Sequence, residues 1–160
     1  IRHPRYQNYG AAADRYIRTL GGEFIRHGPQ QVAKATVVDN KFPGFENIGA
    51  EINAREEWYT LKEFAPDLHV LLVMNTAGME GGDYARANYP LAWVREQGKG
   101  RVGYNAMGHR EDVWDSEYYQ SMIFGQLRWV AKKVDADITP NLTAVTPDAN
   151  KLQPPPPDVR

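Results

Sequence analysis

The spacing of hydrophobic residues divides the chain into segments typical of helices and segments typical of strands. Between residues 10 and 20, apolar side chains recur at helical spacing and Gly21-Gly22 follows, which predicts a helix that ends on glycine. Residues 32–38 are rich in β-branched side chains and predict a strand. The nearly continuous apolar run over residues 68–74 predicts a strand that is covered on both faces.

The second half of the chain contains a predicted hairpin and the clearest helix. Residues 91–96 and 101–107 have strand character and flank a Gly-Lys-Gly sequence, which predicts a hairpin turn or a short link. By contrast, residues 76–88 are rich in glycine, alanine and acidic side chains and predict a mobile surface loop. A long helix is predicted at residues 115–134, with an apolar stripe formed by Tyr119, Met122, Ile123, Leu127 and Val130.

These elements predict one α/β domain over residues 1–134. Two clear helices are too few to cover both faces of a doubly wound parallel sheet. Either some strands pair antiparallel, or part of the domain is missing from this chain. Residues 135–160 are rich in proline, with four consecutive prolines at 154–157, and predict an extended tail that is largely coil or polyproline II.

Composition narrows the classes of function. A chain of 160 residues suits a single domain with a real core. The net charge of -1 and the absence of a basic run argue against nucleic acid and anionic membrane as partners. The longest apolar run, at residues 70–74, is too short to span a bilayer. Because the chain has no cysteine, disulfides, thiolate metal sites and cysteine nucleophiles are excluded.

Two of the four histidines lie in loops flanked by glycine. His109 follows a glycine where a predicted strand ends, and the ends of strands are where sheet proteins usually bind ligands. His27 precedes a Gly-Pro pair and also lies in a loop. A single loop histidine is more often solvated than functional, so these two matter most if the fold brings them together. His69 lies inside the apolar run and is predicted to be packed.

Residues 50–60 have extended character and contain the acidic pair Glu56-Glu57. Neighbouring residues of a strand point to opposite faces, so at most one of these two carboxylates can face a site. A carboxylate close to two histidines would bind a divalent metal or serve as an acid or base. From the residues alone, an acidic pair on the surface of an edge strand is the more common arrangement.

Basic and aromatic residues near the hairpin are further candidate binding groups. Lys99 and Arg101 would hold an anion, although a turn of glycine and basic residues is more often only solvated. The glycines match neither a P-loop nor a dinucleotide-binding fingerprint. Trp114, beside the Gly-His loop, is the best candidate for stacking on a sugar ring, whereas Trp93 and Trp129 have apolar neighbours and are predicted to lie in the core.

A set of short motifs occurs in a characteristic order over residues 16–132. Each motif is weak by itself, but together they resemble the ThuA-like family of trehalose-utilisation proteins. The motifs are Tyr16 with Leu20-Gly21-Gly22-x-Phe24-x-x-His27, Val37-Val38-Asp39 before Pro43, Glu56-Glu57-Trp58-Tyr59, the strand at residues 70–73, Pro90-x-x-Trp93-x-x-x-x-Gly98-Lys99-Gly100-Arg101-Val102, Gly108-His109 with Trp114, and Arg128-Trp129.

This resemblance implies a flavodoxin-like, three-layer α/β sandwich related to class I glutamine amidotransferases. Family members normally carry an N-terminal portion with the first strands and a Gly-x-His loop, so this chain resembles the C-terminal part of such a domain. We therefore expect the missing segment, another subunit or a homo-oligomer to cover the exposed sheet. The absence of cysteine argues against the thiol chemistry of a glutamine amidotransferase.

The resemblance further implies a role in carbohydrate metabolism, with acid/base chemistry on a disaccharide or a keto-sugar, either unaided or assisted by a divalent metal such as zinc. A non-catalytic carbohydrate-binding, accessory or structural subunit with the same fold is the alternative. The proline-rich tail and the start at Ile1 favour a processed, extracytoplasmic protein. The residues implied are His27, Glu57 and His109 for catalysis, with the two histidines as metal ligands, and Tyr59, Trp114 and Arg101 for substrate binding.

Overall fold

The computed structural model describes residues 14–151, which form a mixed α/β structure of the class expected from the sequence. No helix in this range has the length and apolar character needed to cross a membrane. The proline run at 154–157 and residues 10–13 of the first predicted helix lie outside it. In chain order the elements are α1 (Arg15–Leu20), β1 (Glu23–His27), β2 (Gln31–Val37), β3 (Glu51–Glu56), β4 (Tyr59–Lys62), β5 (His69–Asn75), a 3-10 turn (Gly82–Tyr84), β6 (Tyr89–Gln97), β7 (Gly100–Asn105), α2 (Glu111–Trp114), α3 (Glu117–Val130) and α4 (Leu142–Val145).

The strands form one sheet of five strands and one of two. The larger sheet has the order β3-β2-β5-β6-β7, and the smaller sheet pairs β1 with β4. Every strand pairing within residues 14–151 is antiparallel. A doubly wound sheet is mainly parallel. The small number of helices indicated either antiparallel strands or a missing part of the domain. The strands in this part of the chain are antiparallel.

The centre of the larger sheet is its most deeply buried part. Residues 69–74 of β5 and residues 89–95 of β6 are all buried, as expected for strands covered on both faces. The strand predicted from the apolar run is thus confirmed, and so is the hairpin that joins β6 to β7. The core continues onto α3 through Met122 and Trp129, both of which are buried.

The Gly21-Gly22 pair turns the chain from α1 into β1. Gly21 ends the helix in the left-handed conformation, with a φ of 83° and its N–H bonded to the carbonyl of Ile17. A side chain at Gly22 would meet the ring of Trp93 at 2.9 Å. Glycine at both positions therefore lets the turn pass close to β6 and directs β1 toward the position of His27.

The long helix expected at residues 115–134 is found as α3, which is shorter at both ends, and the separate short helix α2 precedes it. α2 ends before Asp115, and α3 begins after Ser116. The Ser116 side chain does not cap α3, because its hydroxyl donates to the carbonyl of Val113 at the end of α2. The break separates a short helix beside the Gly-His loop from the longer helix that packs on β7.

The apolar stripe of α3 is narrower than predicted. Tyr119 and Met122 are buried as expected, but Leu127 is exposed. The helix approaches β7 closely at Gly103, where a side chain would meet Val130 at 3.3 Å. Contact with this strand therefore sets the buried face of the helix and leaves Leu127 outside it.

The segment at residues 76–88, predicted to be a mobile surface loop, is anchored by one tyrosine. Tyr84 is buried in the 3-10 turn. Its hydroxyl donates to the carbonyl of Trp58 at 2.6 Å and accepts the N–H of Gly28 at 2.9 Å. The prediction of mobility missed this anchor because the glycine-rich, acidic composition of the segment contains only one large aromatic side chain.

Residues 135–151 are largely without regular structure except for α4. Two asparagine side chains hold this segment to the rest of the chain. Asn141 accepts the N–H of Val70 and donates to its carbonyl, and Asn150 makes the same two bonds to Phe64. Each amide side chain thus satisfies a backbone donor and acceptor that would otherwise be unpaired.

Candidate functional site

Three ionisable side chains meet beyond the ends of β1, β3 and β7. His27 is the last residue of β1, Glu57 follows β3, and His109 lies in the loop after β7. One carboxylate oxygen of Glu57 lies 3.4 Å from His27 Nε2, and the other lies 3.3 Å from His109 Nε2. The structure therefore brings together the three residues that the sequence suggested for catalysis.

The cluster is open to solvent on the side of the histidines. The side chains of His27 and His109 are 44% and 41% exposed, whereas that of Glu57 is 15% exposed. A ligand can therefore reach either imidazole without displacing the carboxylate between them. A largely buried acid that contacts two accessible imidazoles is an arrangement suited to proton transfer.

The neighbouring carboxylate, Glu56, holds the loop that carries His109. Its side chain is fully buried and accepts the N–H of Gly108 at 2.8 Å and those of His109 and Arg110 at 3.2 Å. It also accepts the N–H of Glu57 at 2.7 Å. Successive backbone N–H groups that converge on one anion form a typical anion-binding concavity. The surface position considered for Glu56 from the sequence is therefore wrong.

The positioning role of Glu56 is what the sequence reasoning missed. Glu56 and Glu57 are adjacent and chemically alike, so their spacing does not distinguish a buried acid from a solvated one. The signal that was available is the tryptophan that follows. Trp58 is fully buried, and its indole N–H donates to the carbonyl of Gln31. A strand end that leads directly into a buried tryptophan lies in the core rather than at a solvated edge.

Gly108 allows the Gly-His loop to close over Glu56. Its φ is 100°, and a Cβ at this position would lie 2.2 Å from the Tyr119 hydroxyl oxygen. That hydroxyl donates to the carbonyl of Met107 at 3.0 Å, and Trp114 Nε1 donates to the carbonyl of Gly108 at 2.8 Å. Side chains from α2 and α3 therefore fix the loop, and glycine is required at its centre.

Tyr59 and Phe24 form an aromatic wall beside the cluster. The Tyr59 hydroxyl lies 3.4 Å from His109 Nδ1, and the Phe24 ring packs edge-on against Tyr59 at 5.0 Å between ring centres. Burial, followed by the negative charges of Glu57 and Glu56, raises the pKa of Tyr59. Tyr59 therefore remains a neutral phenol at neutral pH.

The two imidazoles have different hydrogen-bond surroundings. His27 Nδ1 lies 3.0 Å from the carbonyl oxygen of Gly28, so both nitrogens of this ring face acceptors. His109 Nδ1 faces the hydroxyl of Tyr59, which can donate or accept. His27 is thus held between two acceptors, whereas His109 lies between a carboxylate and a hydroxyl that can act in either direction.

Trp114 lies at the rim of the Gly-His loop, as the sequence suggested. Its ring packs edge-on against Tyr119 at 5.0 Å and is still 52% exposed. The hydrogen bond from its indole N–H to the loop fixes the orientation of the ring. A fixed, exposed aromatic face next to polar groups is a surface on which a sugar ring can stack.

Arg101, suggested as a substrate-binding residue, has other partners. Its guanidinium donates to the carbonyls of Trp129 and Val134 and pairs with Asp135. These bonds hold the chain just after α3. Arg101 lies near the start of β7, whereas His109 follows its end, and the structure does not bring the two together.

His69, predicted to be packed, is buried in β5. Its Nδ1 lies 2.8 Å from the carbonyl oxygen of Thr139, and its Nε2 lies 2.9 Å from the carboxylate of Asp39. This histidine therefore joins residues 135–151 to the larger sheet, and it is not part of the cluster of His27, Glu57 and His109.

The residue types of the cluster are ones that zinc accepts as ligands. In the structure each imidazole contacts an oxygen of Glu57 directly, at 3.4 Å for His27 and 3.3 Å for His109. Within residues 14–151, no group of three or more His, Cys, Asp or Glu side chains is arranged to hold a metal ion. The metal site suggested for His27 and His109 is therefore not supported by this geometry.

These observations define an α/β protein with an antiparallel core sheet and an accessible His-Glu-His cluster beyond its strand ends. A family model described as "ThuA: Trehalose utilisation" matches residues 7–130, which is more than half of the chain. The chain belongs to the ThuA family and is related to proteins of trehalose utilisation. The resemblance inferred from the sequence motifs is confirmed.

Two solved structures have a similar fold. A ThuA-like protein from Bacteroides uniformis is 22% identical, with a TM-score of 0.59, and the match covers 81% of this chain and 56% of that protein. A ThuA-like protein from Parabacteroides merdae is 16% identical, with a TM-score of 0.50, and the match covers 79% and 47%. The chain thus spans about half the length of these proteins. No curated protein sequence matches it.

Proposed function

We propose that the protein acts on a carbohydrate by acid/base chemistry at the cluster of His27, Glu57 and His109. The observation that carries this proposal is the Glu57 carboxylate, which lies 3.4 and 3.3 Å from two accessible imidazoles. Membership of a family described by trehalose utilisation supports a sugar as the substrate class. A disaccharide or a keto-sugar is the substrate that best fits both observations.

In this proposal, His109 and Tyr59 move the proton. The Tyr59 hydroxyl lies 3.4 Å from His109 Nδ1, so a proton exchanged between a substrate oxygen and the imidazole can pass through this hydroxyl. The raised pKa of Tyr59, caused first by burial and then by Glu57 and Glu56, favours the neutral O–H form that such a transfer requires.

Glu57 and His27 hold the charge and orientation of His109. A carboxylate that contacts an imidazole fixes the ring and stabilises its protonated form, as in other acid/base sites. His27, whose Nε2 faces Glu57 and whose Nδ1 faces the carbonyl of Gly28, holds the carboxylate in place. The division of roles makes His109 the proton carrier, Glu57 its orienting partner and His27 the fixed neighbour.

A non-catalytic carbohydrate-binding protein is the second candidate, and the exposed ring of Trp114 favours it. This ring is held in place by its own hydrogen bond and has a free face beside the loop. In this case the aromatic surface binds the sugar, and the two histidines only contribute hydrogen bonds. The candidates differ in whether His109 is needed for turnover of a sugar.

Trp114→Ala is expected to weaken binding of trehalose by about fivefold to tenfold, since an aromatic contact is worth about 1 kcal/mol beyond the area it buries. Isothermal titration calorimetry with trehalose measures this change. Phe124→Ala is a matched control, because Phe124 is an exposed aromatic side chain on α3 away from the loop. Equal affinities for wild type and Trp114→Ala would contradict the stacking role.

His109→Ala separates the two candidates in the same titration. If the protein is an acid/base enzyme, the His109→Ala variant should keep most of its affinity for trehalose but lose turnover of the disaccharide or the keto-sugar. A binding protein should show no turnover even as wild type. Sugar conversion followed by proton NMR of the anomeric signals provides the second readout.

A further inference from the structure

The backbone groups that would bind an anion near the cluster are already occupied. The N–H groups of Gly108, His109 and Arg110 converge as they would around a phosphate. All three donate to the buried carboxylate of Glu56. A carboxylate of the chain itself thus fills the anion-binding concavity of the Gly-His loop, and a phosphate or carboxylate on a ligand finds no free donors there.

Arg110, the cation next to His109, is also engaged. Its Nε and Nη2 donate to the two oxygens of Asp112 at 2.8 and 3.0 Å, and its Nη1 donates to the side chain of Gln30 at 2.8 Å. The two-point contact with Arg110 lowers the pKa of Asp112. The geometry that would hold a phosphate in a fork of two parallel bonds is therefore used by Asp112.

Two further arginines lie near the cluster in sequence. Arg26, which precedes His27, pairs with Asp83 in the segment after β5. Arg55 donates to the carbonyl of Gln30, and it lies on the opposite face of β3 from Glu56 because neighbouring strand residues alternate. Among the residues that the structure describes, the arginines beside both histidines therefore have carboxylate partners.

We propose that the site selects an uncharged polyhydroxy ligand and rejects phosphorylated or carboxylated sugars, with Asp112 as a specificity-determining residue that keeps Arg110 from binding anions. This inference rests on the function proposed above. An anionic ligand would approach the Glu57 carboxylate, while the arginines beside both histidines already have carboxylate partners, and contacts between like charges are strongly unfavourable.

Asp112→Asn tests the inference, because it frees Arg110 with a small change at an exposed position. The probes are inorganic phosphate and two sugars, trehalose and trehalose with a phosphate ester at C6. The ring resonances of His27 and His109 are followed by NMR in isotope-labelled protein. Asp135→Asn is the matched control, since it removes the same charge beside another arginine, Arg101, at the other end of β7.

Wild type is expected to show no saturable shift with phosphate and at least about a tenfold preference for trehalose over its phosphate ester. Asp112→Asn is expected to gain a saturable shift of His109 with phosphate, and Asp135→Asn is not. Saturable phosphate binding at His109 in wild type, a preference for the phosphate ester, or equal behaviour of the two variants would overturn the inference.

The phosphate and sugar titrations also separate this inference from the proposed function. If neither sugar binds to wild type, the proposed function is contradicted. The phosphate titration then decides the exclusion of anions by itself, because it needs no sugar. If wild type binds the phosphate ester in preference to trehalose, a sugar site is retained and the charge selection is overturned.

Discussion

Replacing Glu57 by glutamine is expected to lower turnover of the sugar by about 10²- to 10⁴-fold, the usual contribution of an acid/base group. Glutamine has nearly the same size but carries no charge, so it cannot stabilise a protonated imidazole at His27 or His109. The side chain is 15% exposed and contacts both rings at 3.3 and 3.4 Å. The change therefore acts on the cluster and leaves the fold intact.

The measurement is the turnover of trehalose and of its oxidised keto derivative by purified wild type and Glu57→Gln. Circular dichroism confirms that the variant is folded. Glu51→Gln is a matched control, because Glu51 is an exposed glutamate at the other end of β3 that pairs with Lys34. Its activity should equal that of wild type. If Glu57→Gln keeps wild-type turnover, Glu57 is not part of the acid/base machinery.

Glu56→Gln is expected to destabilise the protein by about 3 kcal/mol and to release the Gly-His loop. The buried carboxylate accepts four backbone N–H groups, three of them from the loop. An amide has one acceptor oxygen, and its NH₂ group would face donors, so several N–H groups would be left without partners. Hydrogen bonds to a charged group are worth about 1.5–3 kcal/mol, and buried unsatisfied donors cost a similar amount.

Urea unfolding measures the loss of stability, and amide hydrogen exchange measures the release of the loop. Exchange at Gly108, His109 and Arg110 should accelerate more than exchange in β5. Glu57→Gln serves as the matched control, since it changes the neighbouring carboxylate without touching these N–H groups. Unchanged protection of the loop amides in Glu56→Gln would show that Glu56 does not position His109.

The elements that the sequence predicted well are those with a local cause. The apolar run at residues 68–74 is buried along β5, and the Gly-Lys-Gly turn joins β6 to β7. Both depend on side chains that are close together in the sequence. Helix ends were less predictable: α3 begins at Glu117, and the hydroxyl of Ser116 bonds back to the carbonyl of Val113 in α2 rather than to the first turn of α3.

The predictions that were wrong have one physical cause. The role of a polar or aromatic side chain depends on hydrogen-bond partners that are distant in the sequence. Arg101 has the composition of an anion-binding turn, yet the carbonyls after α3 engage it. Tyr84 lies in a segment of loop composition, yet its hydroxyl bonds to Trp58 and Gly28. Glu56 is buried because the loop at residues 108–110 closes over it.

The candidate site shows what family motifs add to residue patterns. Residue spacing could not show that His27, Glu57 and His109 meet, because they lie far apart along the chain. The ordered motifs suggested them, and antiparallel pairing of β1 with β4 and of β6 with β7 places the three segments together. The motifs therefore predicted which three residues belong to the site. They did not predict the different hydrogen bonds of His27 and His109.

The ring resonances of the histidines are the sharpest test of the proposed site. Trehalose and its oxidised keto derivative are each titrated into isotope-labelled wild-type protein, and the signals of His27, His109 and His69 are followed by NMR. Saturable shifts of His27 and His109, with no change at His69, are the predicted result, because His69 is buried against Asp39 and Thr139. Saturable shifts at His69 alone, or no shift at any histidine, would contradict a sugar site at this cluster.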